Sequence, residues 1–296
     1  MILAAADIGS NTVHLLIGDT DGLTVRRLVN ESDWLSLGEV VSRQKKIPAA
    51  ESDRLLATLA RFQQLTKTHK AAKFYVFATE AMRVAENHEA VLERLRKVLK
   101  IKVDLITPER EAELSWRGVQ IDAESVGPTA LIEIGGGSAQ VALCDGERVH
   151  QDISLPLGTG RLIAQTRLSY PCDPAEVEQL TELINRIVEP IKTLDTPRRA
   201  VASGGVARGI WRAIHPDGDR EVHVEELRYI EWVCQRLTVE RIALRFNVRS
   251  KRAQTLLPGA IAFRRLLEEL NQESMMISEY GVREGALIEM FHRGKK

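Results

Sequence analysis

Two segments of this chain end an apolar run on an acid and then turn on glycine. The first is Ala6-Asp7-Ile8-Gly9-Ser10-Asn11-Thr12, and the second is Ile132-Glu133-Ile134-Gly135-Gly136-Gly137-Ser138. Glycine is needed where a backbone takes positive φ or lies close to a ligand. A turn whose amides converge makes a nest for an anion. An acid at the strand end can hold a hard cation, directly or through water, while phosphate oxygens complete the shell. One glycine-rich turn is a weak signal, because such turns are common. Here each copy is followed by a returning apolar stretch and an Asp-Gly pair, and Asp7 and Glu133 stand 126 residues apart. Repetition at that distance indicates a duplicated domain. The expected phosphate-binding groups are Gly9, Ser10, Asn11, Thr12, Gly135, Gly136, Gly137 and Ser138, and the expected metal ligands are Asp7 and Glu133. The donor set suits Mg²⁺, which keeps waters and takes few carboxylates.

If the bound anion is a phosphoanhydride, its hydrolysis also needs an oriented water and neutralised phosphate charge. Glu111 is the candidate to position or deprotonate that water. It lies in the first turn of a helix that begins at Pro108, a favoured first helical residue. Arg83, between a strand and a helix, is suited to a bidentate phosphate grip. Arg161 and Arg252 are weaker candidates of the same kind. Arg110 is expected either to pair with Glu111, lowering its basicity, or to contact phosphate itself.

Elements must carry these groups. Ile2–Asp7, Val13–Gly18 and Val25–Val29 read as short strands in an antiparallel meander. From Ala49 the apolar residues Leu55, Leu56, Leu59, Phe62 and Leu65 recur at helical spacing. Strands at Phe74–Thr79 and Val103–Thr107 then alternate with a helix at Glu89–Leu99, which implies an α/β sheet. After Gly127-Pro128 the opening pattern returns, followed by a helix-rich remainder with strands near Ala200–Ala202 and Met275–Ser278. The expected domains are 1–124 and 125–296, with the last helix free to pack back on the first.

Composition excludes several classes. Lys+Arg 41 against Asp+Glu 41 gives zero net charge, which argues against a nucleic-acid grip along a basic face. No apolar run approaches the roughly 20 residues of a membrane span. Three scattered cysteines with no CxxC pair suit a reducing compartment, so a cytoplasmic protein is expected.

The two turns resemble the phosphate loops of the actin, hexokinase and Hsp70 superfamily. Within it the chain is most similar to the exopolyphosphatase and guanosine pentaphosphate phosphohydrolase family. Ala78-Thr79-Glu80-Ala81-Met82-Arg83-Val84-Ala85-Glu86-Asn87 carries part of the likeness, as do Ile106 to Val119 and Ser154-Leu155-Pro156-Leu157-Gly158. Ala202 to Ala207, Arg252 through Leu256-Leu257-Pro258-Gly259-Ala260, and Ser278 to Gly285 complete it, in order along nearly the whole chain. The resemblance implies two facing ribonuclease H-like, actin-like domains with a mixed sheet in each and the active site in the cleft between them. It also implies a homodimer that removes terminal phosphate from polyphosphate or guanosine pentaphosphate, with Glu111 as the catalytic carboxylate. A kinase of the same superfamily and a non-catalytic anion sensor stand as alternatives. The chain departs from the family pattern at Arg110 for Glu, Glu113 for Arg, Glu133 for Asp, Gln140 for Glu and Val206 for Thr.

Overall fold

The computed structural model describes residues 1–124, 127–166 and 168–294. Contacts group Met1–Ile121 with Tyr280–Lys296 as one unit and Asp122–Glu279 as a second. The expected boundary, between 124 and 125, abuts residues 125 and 126, which lie outside the described residues.

In the first unit, β1 (Ile2–Ile8), β2 (Thr12–Thr20) and β3 (Val25–Trp34) form the antiparallel meander, and β4 (Phe74–Ala78) and β5 (Val103–Leu105) extend it in parallel. The strand order is β3-β2-β1-β4-β5. Successive side chains of a strand point to opposite faces, and both faces of β1 are apolar. Ala4, Ala6 and Ile8 pack with Leu55, Leu59 and Phe62 of α2 (Ala49–Thr68) and with Val91 and Leu95 of α4 (His88–Leu99). Leu3 and Ala5 pack on the other face with Leu114 of α5 (Pro108–Val119) and Leu287 of the last helix, α12 (Val282–Arg293). Each fully buried leucine contributes roughly 1.5–3 kcal/mol, so α5 is fixed by packing rather than by its polar end. Two short helices complete the unit: α1 (Leu37–Gln44) follows β3, and α3 (Glu80–Val84) follows β4. Neither α1 nor the extension of β3 to Trp34 is anticipated by the sequence reading, because Asn30-Glu31-Ser32-Asp33 is polar and reads as a loop.

The second unit repeats the plan. β6 (Thr129–Ile134), β7 (Ala139–Asp145) and β8 (Arg148–Leu155) form a meander, followed by α6 (Thr159–Thr166) and α7 (Pro174–Val188). β9 (Arg199–Ser203) joins β6 in parallel and leads into α8 (Gly204–Ile214). Then come β10 (Glu221–His223), α9 (Val224–Cys234), α10 (Val239–Arg245), α11 (Ser250–Glu269) and β11 (Ser274–Ile277). The order is β10-β11-β9-β6-β7-β8, with β10 antiparallel at the edge. Each unit is therefore a mixed sheet flanked by helices, as expected.

The two sheets correspond residue for residue around the turns. Asp7 lies opposite His14 on one side and Phe77 on the other. Glu133 lies opposite Gln140 and Ser203, each 126 residues further on. The irregularity in the second strand recurs at that same offset, at Ile17/Gly18 and at Leu143/Cys144.

Candidate active site

Each glycine turn is closed by one bond. Gly9 N–H donates to the Thr12 carbonyl at 3.1 Å, and Gly135 N–H to the Ser138 carbonyl at 2.8 Å. The remaining carbonyls are drawn back onto the helix that follows the third strand. In the first unit, Gly38 N–H donates to Ser10 O at 2.7 Å, and Leu35 and Ser36 N–H donate to Asn11 O at 3.0 and 2.9 Å. In the second, Thr159 N–H donates to Gly135 O, Arg161 N–H to Gly136 O, both at 3.0 Å, and Gly158 N–H to Gly137 O at 3.3 Å. Arg161 Nε adds a bond of 2.8 Å to Gly137 O. A trans peptide holds its N–H antiparallel to the preceding C=O. The amides of Asn11 and Thr12, and those of Gly136, Gly137 and Ser138, therefore point away from those helices. Successive amides that face away from the fold in this manner are donors an anion can use.

The expected side chains are placed as follows. Asp7 and Glu133 are half-buried at strand ends beside their turns. Ser10 is buried, and its hydroxyl donates to Glu80 Oε2 at 2.7 Å, so the hydroxyl serves the fold. Asn11 and Thr12 are half-buried. Arg83 and Glu111 meet: Arg83 Nη1 lies 3.3 Å from Glu111 Oε2 and donates to Ile106 O at 2.8 Å. Both side chains remain partly accessible, 19% and 24%. Glu111 is presented by an ordered helix start. Thr107 caps α5, its Oγ1 accepting from Arg110 N–H at 3.3 Å, and Glu111 N–H donates to Thr107 O at 3.0 Å. Ser10, Glu80, Arg83 and Glu111 thus link the first turn to α5 through α3.

Arg110 does not pair with Glu111. It pairs with Glu113 at 2.7 Å and with Glu289 of α12, whose second oxygen takes Arg117 at 2.7 Å. The Glu289 carboxylate, backed by Glu113, outweighs burial and raises the Arg110 pKa. The family's Glu and Arg at these two positions are exchanged in sign here. Arg110 and Glu113 form an i,i+3 ion pair, and Glu111 is left outside it.

Arg252, a minor candidate in the sequence, is prominent in the fold. It lies in the first turn of α11 against the start of α8. Its Nη2 is 3.6 Å from the position of a Cβ on Gly205, and its Cδ is 2.8 Å from one on Gly209. Burial first, and then Arg212, push its pKa below the ordinary value. Its side chain makes no ion pair among the described residues. Arg161, by contrast, is a clamp on the turn. Glu80 and Gly158 were missed as supports. Gly158 stands in the quoted Ser-Leu-Pro-Leu-Gly segment, but its partner, Gly137, is not evident from spacing.

Among the described residues no three His, Cys, Asp or Glu side chains gather to hold an ion. Each unit offers one half-buried carboxylate beside an amide nest, Asp7 or Glu133. All the donors are oxygens. They fit a hard divalent ion that keeps most of its waters and takes other ligands from phosphate, not an ion caged by protein.

A family model described as Ppx/GppA phosphatase family matches residues 16–294. Exopolyphosphatase 1 of Mycobacterium tuberculosis is 31% identical over 305 residues, covering 97% of this chain and 88% of that protein. Guanosine-5'-triphosphate,3'-diphosphate pyrophosphatase of Photobacterium profundum is 24% identical, covering 99% of this chain and 60% of the relative. The crystal structure of an exopolyphosphatase from Cytophaga hutchinsonii superposes with a TM-score of 0.89 at 21% identity, covering 99% and 98% of the two chains. The last likeness is one of fold.

Proposed function

The chain belongs to the Ppx/GppA phosphatase family, and from that premise we propose that it hydrolyses phosphoric anhydrides, releasing terminal phosphate from polyphosphate or guanosine pentaphosphate. The observation that carries the reading is the Arg83–Glu111 pair at 3.3 Å, joined through α3 to the first glycine turn. The arginine fixes where the carboxylate stands.

In this reading the outward amides of Asn11 and Thr12, and those of Gly136, Gly137 and Ser138, hold phosphate oxygens. Arg83 grips the terminal phosphate by charge-assisted bonds, which are stronger than neutral ones. Glu111 orients a water and takes its proton as the water oxygen bonds to phosphorus. The bridging P–O bond breaks, and the shortened chain leaves with the electron pair. Positioning and electrostatics do most of the work in such transfers. A divalent ion, for which Mg²⁺ is the proposal, would supply neutralisation of phosphate charge when bound near Asp7 and Glu133.

No helix among the described residues is long and apolar enough to cross a membrane. The three cysteines are free, and burial pushes the Cys144 and Cys234 thiols up to about 12. Inert thiols suit the proposed cytoplasmic setting. The test is phosphate release from long polyphosphate and from guanosine pentaphosphate, with and without Mg²⁺. Release from at least one, dependent on the ion, is expected. No release from either would overturn the reading.

A further inference from the structure

We propose that Arg236, Arg241, Arg245 and Arg249 form a docking strip on the second unit for the distal part of a long polyphosphate chain. The inference rests on the hydrolase reading and deepens it by naming the substrate class that the second unit favours.

Residues 236–252 carry six basic side chains and one acid, Glu240, in a chain of zero net charge. Arg236, Arg241, Arg245 and Arg249 are all exposed. None of the four makes an ion pair among the described residues. The neighbouring arginines behave differently: Arg228 pairs with Glu225, Arg264 with Glu231 and Arg265 with Glu269. The strip is therefore a local choice, not the habit of this surface.

Aromatic side chains hold two of these guanidinium groups without neutralising them. Arg236 lies 4.7 Å from the centroid of the Trp232 ring and donates to the Trp232 carbonyl at 2.9 Å. Arg245 donates to Tyr229 Oη at 2.6 Å, and the Tyr229 ring is seated edge-on against buried Phe246. Trp232 and Tyr229 are 56% and 40% exposed, unusual for large rings, and this gives them a task. A cation over a ring keeps its charge while losing freedom. Tyr229, Trp232 and Arg236 share one face of α9 and its end, and Arg241 and Arg245 share one face of α10. Arg249 caps α11 three residues before Arg252, so the strip leads towards that half-buried arginine beside the start of α8.

Like charges crowded without acids destabilise a fold by self-repulsion, and a polyanion relieves that repulsion. Guanosine pentaphosphate has few phosphates, and the terminal ones are engaged at the turns. A chain of many phosphates has charge left over. RNA would need open ring faces for its bases, but Arg236 occupies a face of Trp232.

The test compares wild type with R236Q/R241Q/R245Q and with R236K/R241K/R245K, all checked for fold by circular dichroism. For chains of hundreds of phosphates, the Gln variant should raise KM by about tenfold, as three exposed charge contacts would give, with kcat intact. Tripolyphosphate and guanosine pentaphosphate should be unaffected, and the Lys variant should behave as wild type. Binding of end-labelled long polyphosphate should lose about two to three from its log–log salt slope. That binding is read without turnover. If no substrate is hydrolysed yet the Gln variant still loses chain binding, the strip stands and the hydrolase reading fails. Unchanged long-chain KM and binding would overturn the strip. So would an equal loss on short substrates, or RNA of equal charge binding the strip more tightly than polyphosphate.

Discussion

The first and second glycine turns share a register, an offset and a clamping helix, yet their surroundings differ. Around the first, two amides point outward, and the neighbouring α3 carries Glu80 to hold the turn and Arg83 to hold Glu111. Around the second, three amides point outward, and the counterpart of α3 is α8, beside which Arg252 sits unneutralised. On the proposed reading the first unit supplies the proton acceptor, Glu111, and the second supplies more donors for anionic charge. The two turns share one design, and on the proposed reading their neighbours, Arg83 with Glu111 in the first unit and Arg252 in the second, suit one to chemistry and the other to binding.

The sharpest way to break this comparison is to remove one group from each side. Glu111→Gln keeps shape and loses the base. It should cut kcat by about 10²–10⁴ with KM nearly unchanged. Arg252→Met removes a half-buried donor worth about 1.5–3 kcal/mol in a charge-assisted bond, and should raise KM while sparing kcat. Steady-state kinetics on polyphosphate separates the two. Near wild-type turnover for Glu111→Gln would place the base elsewhere, and a fall in kcat alone for Arg252→Met would end the division of labour.

The turns themselves were legible because their signals are local: an acid, then glycines, in a fixed spacing repeated once. The place of Glu111 in the first turn of α5 was legible from Pro108, and its proposed role came from the family resemblance. Its neighbourhood was not legible. Ser10 and Glu80 are 70 residues apart, and Arg110 and Glu289 are 179 apart. Pairings at that range depend on how elements pack, which spacing does not encode. The Arg110–Glu111 pair was misread for that reason: adjacency suggested it, but successive helical residues do not face each other. β10 was missed because three residues carry too little alternation to read. The carbonyl clamps were hidden because they are backbone bonds, and any sequence of small residues could make them.

The clamps offer a second, smaller test. A Cβ on Gly158 would overlap the backbone of Gly136 and Gly137, whereas one on Gly38 would meet the Ser10 Cβ at 2.7 Å. Backbone yields less readily than a side chain. Overpacking typically costs about 1–3 kcal/mol, and Gly158→Ala should lie at the upper end, with Gly38→Ala below it. Urea unfolding measures the difference, and phosphate release should fall in the same order. Equal losses would mean that the two clamps are equally rigid, and that the second turn is not the more tightly built.

The smallest expected effect concerns the position where neither turn has a second acid. Gln140 lies opposite Glu133, and its equivalent by offset is His14, opposite Asp7. The Gln140 amide donates towards Asp152 Oδ2 at 3.4 Å. Gln140→Glu restores the acid of the family pattern but sets it against that carboxylate. Like charges at this range favour protonation of one of them, unless a cation is bound nearby to offset the repulsion. The variant should therefore depend more on Mg²⁺ than wild type does. An exposed charge contact is worth about 0.2–1 kcal/mol, so half-saturating Mg²⁺ should fall by no more than about fivefold. The rise in thermal midpoint on adding Mg²⁺ should be larger as well, which reads the ion without turnover. The reverse change in the first unit, His14→Gln, should leave both measurements unmoved if the ion is held mainly by the second turn. Superimposable Mg²⁺ titrations for wild type and Gln140→Glu would show that residue 140 does not face the ion. The lost acid would then be a matter of sheet packing against β8, and the asymmetry between the turns would rest on amides and arginine alone.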